Sequence, residues 1–343
     1  MSIDPEMNAP DSEEEDDLFE HYNFTVDKGQ QLLRIDKYLM IKIAGTSRNK
    51  IQVGIDAGSV KVNGGLIKSN YRVKPLDNIT VSFATPPRDK EVYPEDIPID
   101  IIYEDDQLIL VNKSPGMVVH PAQGNWSGTL VNGLLFHCQN LPGQKDIRPG
   151  LVHRIDKDTS GILVIGKTEF ALNFLGQQFF EHSIERTYYA ICWGVPKESK
   201  GTIRSKIGRS PKDRKIQAIF PEDSEYGRIA ITHYEVMETF GFASFVKFKL
   251  ETGRTHQIRA HFQSIGHPLF SDSTYGGDKI RYMSSMASFK SFIDNAFKIC
   301  PRQALHAYSL GFIHPVTNEF MQFEQEFPED FLTLLAKLRA ING

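Results

Sequence analysis

One polar loop in the sequence carries more reactive side chains than a turn requires. It runs His153-Arg154-Ile155-Asp156-Lys157-Asp158 and leads into the apolar strand pattern 162–165. An aspartate in such a loop can act as a nucleophile, because a rigid sheet fixes the loop that carries it. A turn whose aspartates cap backbone amides would contain the same residues. The loop alone therefore leaves a catalytic role and a structural role equally open.

The segment 252–262 is a second cluster of charged and polar residues. An alternating pattern over 242–250 predicts a strand before it, and Gly266 predicts the end of the helix that follows. The apolar stripe of this helix is predicted at Ile258, Phe262 and Ile265. Arg259 then lies outside the stripe, where an arginine at a helix start can face a carboxylate.

Neither metal nor disulfide chemistry is indicated. His256 and His261 are five residues apart, whereas paired zinc ligands on a helix are four apart, so we expect structural histidines. The three cysteines, Cys138, Cys192 and Cys300, are too distant from one another for a C-x-x-C pair. We expect no metal site, no disulfide framework and a reducing compartment.

The elements that must position these residues follow from the chain beyond residue 97. Short β-rich runs recur there, with a few helical stretches and no regular βαβ alternation. The predicted strands are 99–103, 108–112, 162–165, 188–193, 232–237 and 244–251. This pattern predicts a mixed α+β domain over 97–343 with a largely antiparallel sheet.

Residues 25–84 have the pattern of a separate, small α+β domain. Two short helices come first, with apolar faces at Leu32, Ile35 and Leu39 in the first and at Ile51 and Ile55 in the second. Thr46 and Ser47 can cap the second helix, and Gly58 ends it. Asn63-Gly64 after an alternating run predicts a hairpin, and 79–83 predicts a final strand.

Charge is concentrated at the start of the chain. Residues 1–20 hold nine acids and no Lys or Arg. The rest of the chain therefore contains 39 bases and 34 of the 43 acids, although the net charge of the whole chain is −4. We expect 1–24 to be a disordered acidic tail and 85–96, which is polar and contains proline, to be a linker. A mildly basic body permits RNA binding without requiring it.

The sequence shows no targeting or membrane signal. Its first residues lack a basic segment followed by an apolar one, and no later apolar run has the length of a membrane span. We therefore expect a cytoplasmic protein without a membrane partner.

The order of the N-terminal patterns resembles the S4 RNA-binding domain. The matching runs are 34–39, 47–51 and 58–64. The resemblance implies that Arg48, Asn49 and Lys50 face RNA phosphates at the start of the second helix, where backbone amides also favour anions. Solvated surface charge is the alternative for these three residues.

Five separated motifs resemble, in the same order, the RluA/RluD family of pseudouridine synthases, and the RluD branch most closely. They are 94–105, 118–125, 148–161, 252–259 and 302–307. The resemblance extends over nearly the whole chain. It implies a pseudouridine synthase catalytic domain with a mixed, largely antiparallel sheet, in addition to the S4 domain.

The resemblance also implies roles for individual residues. Asp156 would be the nucleophile, Arg259 its basic partner, and Tyr188 of the Arg-x-Tyr motif 186–188 the residue against the flipped uracil. Arg154 would enter the RNA helix in place of that base. The other RNA contacts are expected from His153 and Arg254.

The implied activity is isomerisation of specific uridines in a stem-loop of large-subunit (23S) ribosomal RNA by a monomeric enzyme. No cofactor is expected, because the reaction has no net redox change and no group donor. Two other hypotheses stay open: an RNA-binding protein without activity, and a glycosidase-like hydrolase with Asp158 as the second carboxylate. The target uridine, and whether Asp156 attacks C1′ or C6 or assists elimination to a glycal, are also open.

Overall fold

The protein, as a computed structural model, divides into two compact units, Met1–Asp89 and Lys90–Gly343. The residues described are 19–43, 46, 48–83, 92–122, 125–143, 148–213, 216–281 and 287–341. Every helix within these ranges is too short or too polar to cross a membrane.

The N-terminal unit packs two helices against a four-stranded antiparallel sheet. The helices are α1 (Ile35–Lys42) and α2 (Arg48–Asp56), and the strands are β1 (Phe19–Thr25), β2 (Val60–Val62), β3 (Gly65–Leu66) and β4 (Asn78–Phe83). The strand order is β1-β4-β2-β3. Ile35, Leu39, Ile51 and Ile55 are buried in its core, as the helical pattern predicted.

Two predictions about this unit are wrong at its edges. The tail was expected to extend to residue 24, but β1 pairs with β4 along its length, and Tyr22 and Phe24 pack against the core. Leu32 was expected in the first helix, but it precedes α1 and is 59% exposed, and Tyr38 is buried in the helix instead. Residues 1–18 lie outside the described residues.

The turns of this unit agree with their sequence signals. Asn63 and Gly64 have φ values of 52° and 80°, which is the left-handed pair that a two-residue hairpin requires. Gly58, with φ of 76°, follows the end of α2. Ser47, the predicted cap, lies outside the described residues.

The C-terminal unit is built on a ten-stranded mixed sheet. Its strands are β5 (Ile101–Glu104), β6 (Leu108–Lys113), β7 (Ser160–Gly166), β8 (Glu185–Trp193), β9 (Lys200–Arg209), β10 (Gln217–Phe220), β11 (Arg228–Thr239), β12 (Ala243–Leu250), β13 (Leu305–Ile313) and β14 (Phe320–Glu324). The order is β10-β9-β11-β12-β8-β13-β7-β6-β5, with β14 beside β13. Only β7 and β13 pair in parallel among these strands, so the predicted α+β class with a largely antiparallel sheet is confirmed.

Five helices accompany this sheet: α3 (Leu130–Cys138), α4 (Glu169–Phe180), α5 (Gln257–Ser264), α6 (Ala287–Ile299) and α7 (Glu329–Arg339). The largest apolar cluster joins β6, β7, β8 and β12 to α3 and α5. Ile258 and Phe262 of α5 are buried in it as predicted. Ile265, the third predicted member of the stripe, follows the helix and is 39% exposed, so that assignment was wrong.

The linker was predicted to extend to residue 96, but its last residues belong to the C-terminal unit. Tyr93 and Glu95 belong to the C-terminal unit, because the Asn132 amide donates to the Tyr93 carbonyl and the Glu95 carboxylate accepts a hydrogen bond from the backbone N–H of Gly128. Val92 also packs against the main core of this unit. Residues 84–91 lie outside the described residues.

The parallel contact between β7 and β13 depends on one glycine. Gly161 has a φ of 115°, and a Cβ at this position would lie 2.1 Å from the carbonyl oxygen of Ala307. Glycine therefore allows the two strands to meet directly after the polar loop that precedes β7. This pairing fixes one end of the loop against the sheet.

Candidate active site

The polar loop folds back along its own strand. Leu151 forms a β-bridge with Ile165, and the His153 ring accepts a hydrogen bond at Nε2 from the backbone N–H of Val164 (3.0 Å). Closer to β7, the N–H of Thr159 donates to the carbonyl of Asp156 (3.1 Å). These contacts hold the Asp156 backbone in a turn at the edge of the core.

Asp156 forms an ion pair with a buried arginine. Arg259 Nη1 donates to Asp156 Oδ2 (2.9 Å), while its Nε and Nη2 donate to the two carboxylate oxygens of Asp272 (2.7 and 2.9 Å). Burial alone would lower the pKa of Arg259, but the hydrogen bonds and charges of the two aspartates raise it above its ordinary value. The fork of Arg259 is therefore a fixed cation that orients Asp156.

Asp272 holds Arg259 in place, and no sequence pattern indicated this residue. Its carboxylate is fully buried and also accepts hydrogen bonds from the N–H groups of Thr274 and Tyr275 (3.1 and 3.2 Å). The ring of Tyr275 lies 5.2 Å from the Arg259 guanidinium carbon. Arg259 is thus held by a carboxylate and an aromatic face from the same loop.

His256 lies nearer to Asp156 than the sequence suggested. Its Nε2 is 3.9 Å from Asp156 Oδ1, and its Nδ1 is 3.2 Å from the Tyr275 hydroxyl. Burial lowers its pKa, although Asp156 opposes this effect. His261, by contrast, is structural as predicted: its ring nitrogens contact Ser205 and Thr232 (3.0 and 2.8 Å) inside the core.

A pocket of about 340 Å³ opens beside Asp156. Tyr188 from β8 and Ile258 from α5 form part of its apolar wall, and burial raises the pKa of Tyr188, so that its hydroxyl stays protonated. The cationic part of the wall consists of Arg148, Arg154, Arg186, Arg254 and Arg259. The pocket therefore combines an apolar surface and one carboxylate, which is paired with Arg259, with a strongly basic lining.

The described structure brings the predicted residues Asp156, Tyr188, Arg259, Arg154, His153 and Arg254 together around this pocket. Arg154 is exposed, and its Nη1 lies 3.4 Å from His120 Nε2. His153 stacks on Phe179 at 4.5 Å, and burial together with Arg186 lowers its pKa to about 3. His153 is therefore a neutral ring that also ties the loop to β7.

Asp158 does not line the pocket. Its carbonyl oxygen accepts a hydrogen bond from Arg302 Nη1 (2.9 Å), and Arg302 is itself paired with Asp330 through two hydrogen bonds (2.7 and 2.9 Å). Asp158 thus has a backbone role beside Asp156. The described pocket offers no second carboxylate of the kind that the hydrolase hypothesis requires.

A buried lysine also supports the loop, and no sequence pattern indicated it. Lys113 Nζ donates to the carbonyl oxygens of Ser114, Met117 and Lys157 (2.7, 2.9 and 2.8 Å) and is 1% exposed. Burial lowers the pKa of Lys113 to about 7. Lys113 and Arg302 therefore hold the carbonyls of the two residues that follow Asp156.

One group outside the pocket could be considered for a metal. Ligand atoms of Glu104, His137 and Cys138 lie within 4.8 Å of one another. The Glu104 carboxylate already accepts hydrogen bonds from His137 (2.8 Å) and from the ammonium of Lys167 (2.7 Å). Because a lysine charge on the carboxylate opposes a bound cation, we assign no metal to this group.

In the N-terminal unit, the predicted RNA-facing residues lie at the start of α2. Arg48 is half-exposed, and its Nε donates to Asp36 Oδ2 (2.9 Å). Asn49 is exposed. The Lys50 side chain lies outside the described residues. The interpretation of this helix end as an RNA-binding surface stays a prediction.

Asp36 makes the stability of this unit depend on pH. Burial raises its pKa, but hydrogen bonds from Arg34, Arg48 and Gln52 outweigh this and lower the pKa from 3.8 to about 2. Since the folded-state pKa is the lower one, the stabilisation is fully present above about pH 4 and is lost as the pH falls towards 2. Hydrogen exchange of α1 and α2 amides, corrected for intrinsic rates, should show this loss.

The Asp36→Asn variant is the control for that measurement. It should be less stable at pH 6 and should show a much weaker acid dependence in α1 and α2. An unchanged acid dependence in the variant would mean that another carboxyl group controls the unit.

A cationic pocket with an arginine-paired carboxylate, presented by a mixed sheet, suits an enzyme whose substrate is anionic. Residues 107–264 match the family model of RNA pseudouridylate synthase, and residues 33–79 match the S4 domain. The chain belongs to the RNA pseudouridine synthase family. It is an isomerase that acts on RNA, with an S4 RNA-binding domain in its N-terminal unit.

Individual relatives agree with this assignment. An uncharacterized RNA pseudouridine synthase of Chlorobaculum parvum is 47% identical over 92% of this chain and 97% of that protein. The ribosomal large subunit pseudouridine synthase D of Zymomonas mobilis is 42% identical over 90% of this chain and 95% of that protein. In structure, human RNA pseudouridylate synthase domain containing 4 shares the fold, with a TM-score of 0.55 and 22% identity over 70% of this chain and 93% of that one.

Proposed function

We propose that this enzyme converts specific uridines of large-subunit ribosomal RNA to pseudouridine, with Asp156 as the nucleophile. The observation that carries the proposal is the Asp156 carboxylate, fixed in the pocket by Arg259 at 2.9 Å. The name of the Zymomonas mobilis relative, a ribosomal large subunit pseudouridine synthase, supports large-subunit ribosomal RNA as the substrate. A pocket formed within one chain supports action as a monomer, and a ribosomal substrate supports a cytoplasmic location.

The reaction is an isomerisation in which all atoms are retained. The C1′–N1 bond breaks, the uracil turns, and C5 bonds to C1′. C5 then loses its proton, and N1 gains one. A carboxylate that forms a covalent intermediate divides this exchange into two easier steps.

The two oxygens of Asp156 are suited to different tasks. Oδ2 accepts the hydrogen bond from Arg259, whereas Oδ1 accepts none from the described residues and lies 3.9 Å from Nε2 of the His256 ring. Arg259 thereby orients the carboxylate, and Oδ1 is left for the substrate.

A uridine stacked in RNA must leave its helix to reach this pocket. Arg154 is exposed at the opening and can fill the space that the base leaves, which offsets a cost of a few kcal/mol. Tyr188, in the apolar wall, offers its ring to the flipped uracil and a protonated hydroxyl as a hydrogen-bond donor. These groups supply the base flipping that the reaction requires.

The direct test is a map of pseudouridine in ribosomal RNA from cells with and without this gene. One or more large-subunit positions should lose the modification when the gene is deleted, and the purified enzyme should restore them in an unmodified transcript. Release of free uracil instead of an isomerised product would support the hydrolase hypothesis.

Removing the N-terminal unit should separate binding from chemistry. A chain of residues 90–343 keeps the whole pocket, so we expect weaker RNA binding and a retained maximal rate at saturating RNA. Binding and single-turnover measurements on the same transcript would show this. Unchanged affinity would mean that the S4 domain does not contribute to RNA binding in this enzyme.

A further inference from the structure

Three arginines are buried among the described residues of the C-terminal unit: Arg186, Arg259 and Arg302. Arg259 pairs with two aspartates, and Arg302 pairs with Asp330. Arg186, which is 7% exposed, forms no ion pair with any described carboxylate. A buried guanidinium without a counterion costs several kcal/mol, so this exception requires an explanation.

The neighbours of Arg186 satisfy its hydrogen bonds only in part. Nη2 donates to the carbonyl oxygens of Glu251 (2.9 Å) and Leu250 (3.4 Å), but Nε is buried without an acceptor. The guanidinium carbon lies 5.6 Å from the centre of the Phe179 ring. These contacts fix the direction of the side chain but leave its charge unpaired.

The unpaired guanidinium lies in the pocket wall. Its Nη1 is beside Gly253, where a Cβ would lie only 2.8 Å away, and both residues line the pocket. Arg254 lines the same wall, and its Nε donates to the carbonyl of Ile229 (2.9 Å). After burial, the charge of Arg254 is the main influence that lowers the pKa of Arg186. Two arginines thus line the same pocket wall, and neither forms an ion pair with a described carboxylate.

We propose that Arg186 and Arg254 form a phosphate site in the pocket wall, which binds a backbone phosphate of the RNA beside the target uridine. This inference rests on the proposed function. A phosphate would supply the missing counterion and could accept charge-assisted hydrogen bonds from both side chains. Arg186 would then fix the position of the RNA backbone at the pocket.

The test measures how salt affects binding of the full-length enzyme to an unmodified transcript of large-subunit ribosomal RNA. Each phosphate contact that is lost should reduce the slope of log K against log salt by about 0.7 to 0.9, measured between about 50 and 200 mM salt. Arg186→Gln and Arg254→Gln should each show such a reduction, and Arg186→Lys should keep most of the wild-type slope. Arg339→Gln, which removes an exposed arginine paired with Glu238, is the matched control and should leave the slope unchanged.

Gly253→Ala is a second variant, which tests the same site if Arg186→Gln does not fold. The added methyl group displaces only the end of a flexible side chain, so the protein should stay folded while the salt slope falls as in Arg186→Gln. An unchanged slope in folded Arg186→Gln, with a slower single-turnover rate, would overturn the phosphate site in favour of contact with the uracil. Pseudouridine formation by the wild-type enzyme is measured on the same transcript, so failure of the proposed function would be recognised separately.

Discussion

Replacing Asp156 by asparagine is expected to abolish pseudouridine formation, with a loss of about 10⁴-fold or more, while folding and RNA affinity stay close to wild type. The change removes the nucleophilic charge at nearly constant volume. The amide oxygen can still accept the hydrogen bond from Arg259 Nη1. The ion pair between Arg259 and Asp272 does not involve residue 156 and should also hold the site in place. The expected loss is therefore chemical.

The measurement follows from the proposed reaction. Because C5 loses its hydrogen when it bonds to C1′, RNA labelled with tritium at C5 of uridine releases tritium with each turnover. Asp158→Asn is the matched control, since its carboxyl group is in the same loop but outside the pocket, and it should retain most of the activity. Tritium release by purified Asp156→Asn enzyme would refute the nucleophile assignment.

The sequence could identify the central residues of this site but not their supports. Asp156 and Arg259 are 103 positions apart, and only the motif resemblance linked them before the structure. Asp272 follows α5 in a loop, where an isolated acid has no periodic signal of burial. Lys113 ends an apolar strand, and nothing local indicates that three carbonyl oxygens surround its ammonium group.

The strands also differ in whether the sequence alone predicts them. All six predicted strand runs overlap observed strands, because buried strands such as β7 have continuous apolar sequences. β9 was not predicted, since Lys200–Arg209 contains four basic residues and only two of its ten residues are buried. β1 was not predicted, because the acidic residues before it indicated a disordered tail. Polar strands depend on pairing with neighbours, which a single-sequence pattern does not contain.

The second large effect is expected from Arg259→Gln, which should lose both activity and stability. Asp272 is fully buried, so removing its cation leaves a carboxylate with only two backbone N–H donors. Loss of one partner of a buried ion pair costs about 3–5 kcal/mol. Asp156 would simultaneously lose the group that orients it. Urea unfolding and single-turnover tritium release would measure the two losses.

The double variant Arg259→Gln/Asp272→Asn separates these two losses. The Asp272→Asn change removes the buried carboxylate charge that has no cation in Arg259→Gln. Much of the lost free energy of unfolding should therefore return. Activity should stay low, because Asp156 still lacks a guanidinium at 2.9 Å. If activity instead returned together with stability, Arg259 would serve only to satisfy Asp272, and the orientation of Asp156 would have to come from its loop, through the carbonyls that Lys113 and Arg302 hold.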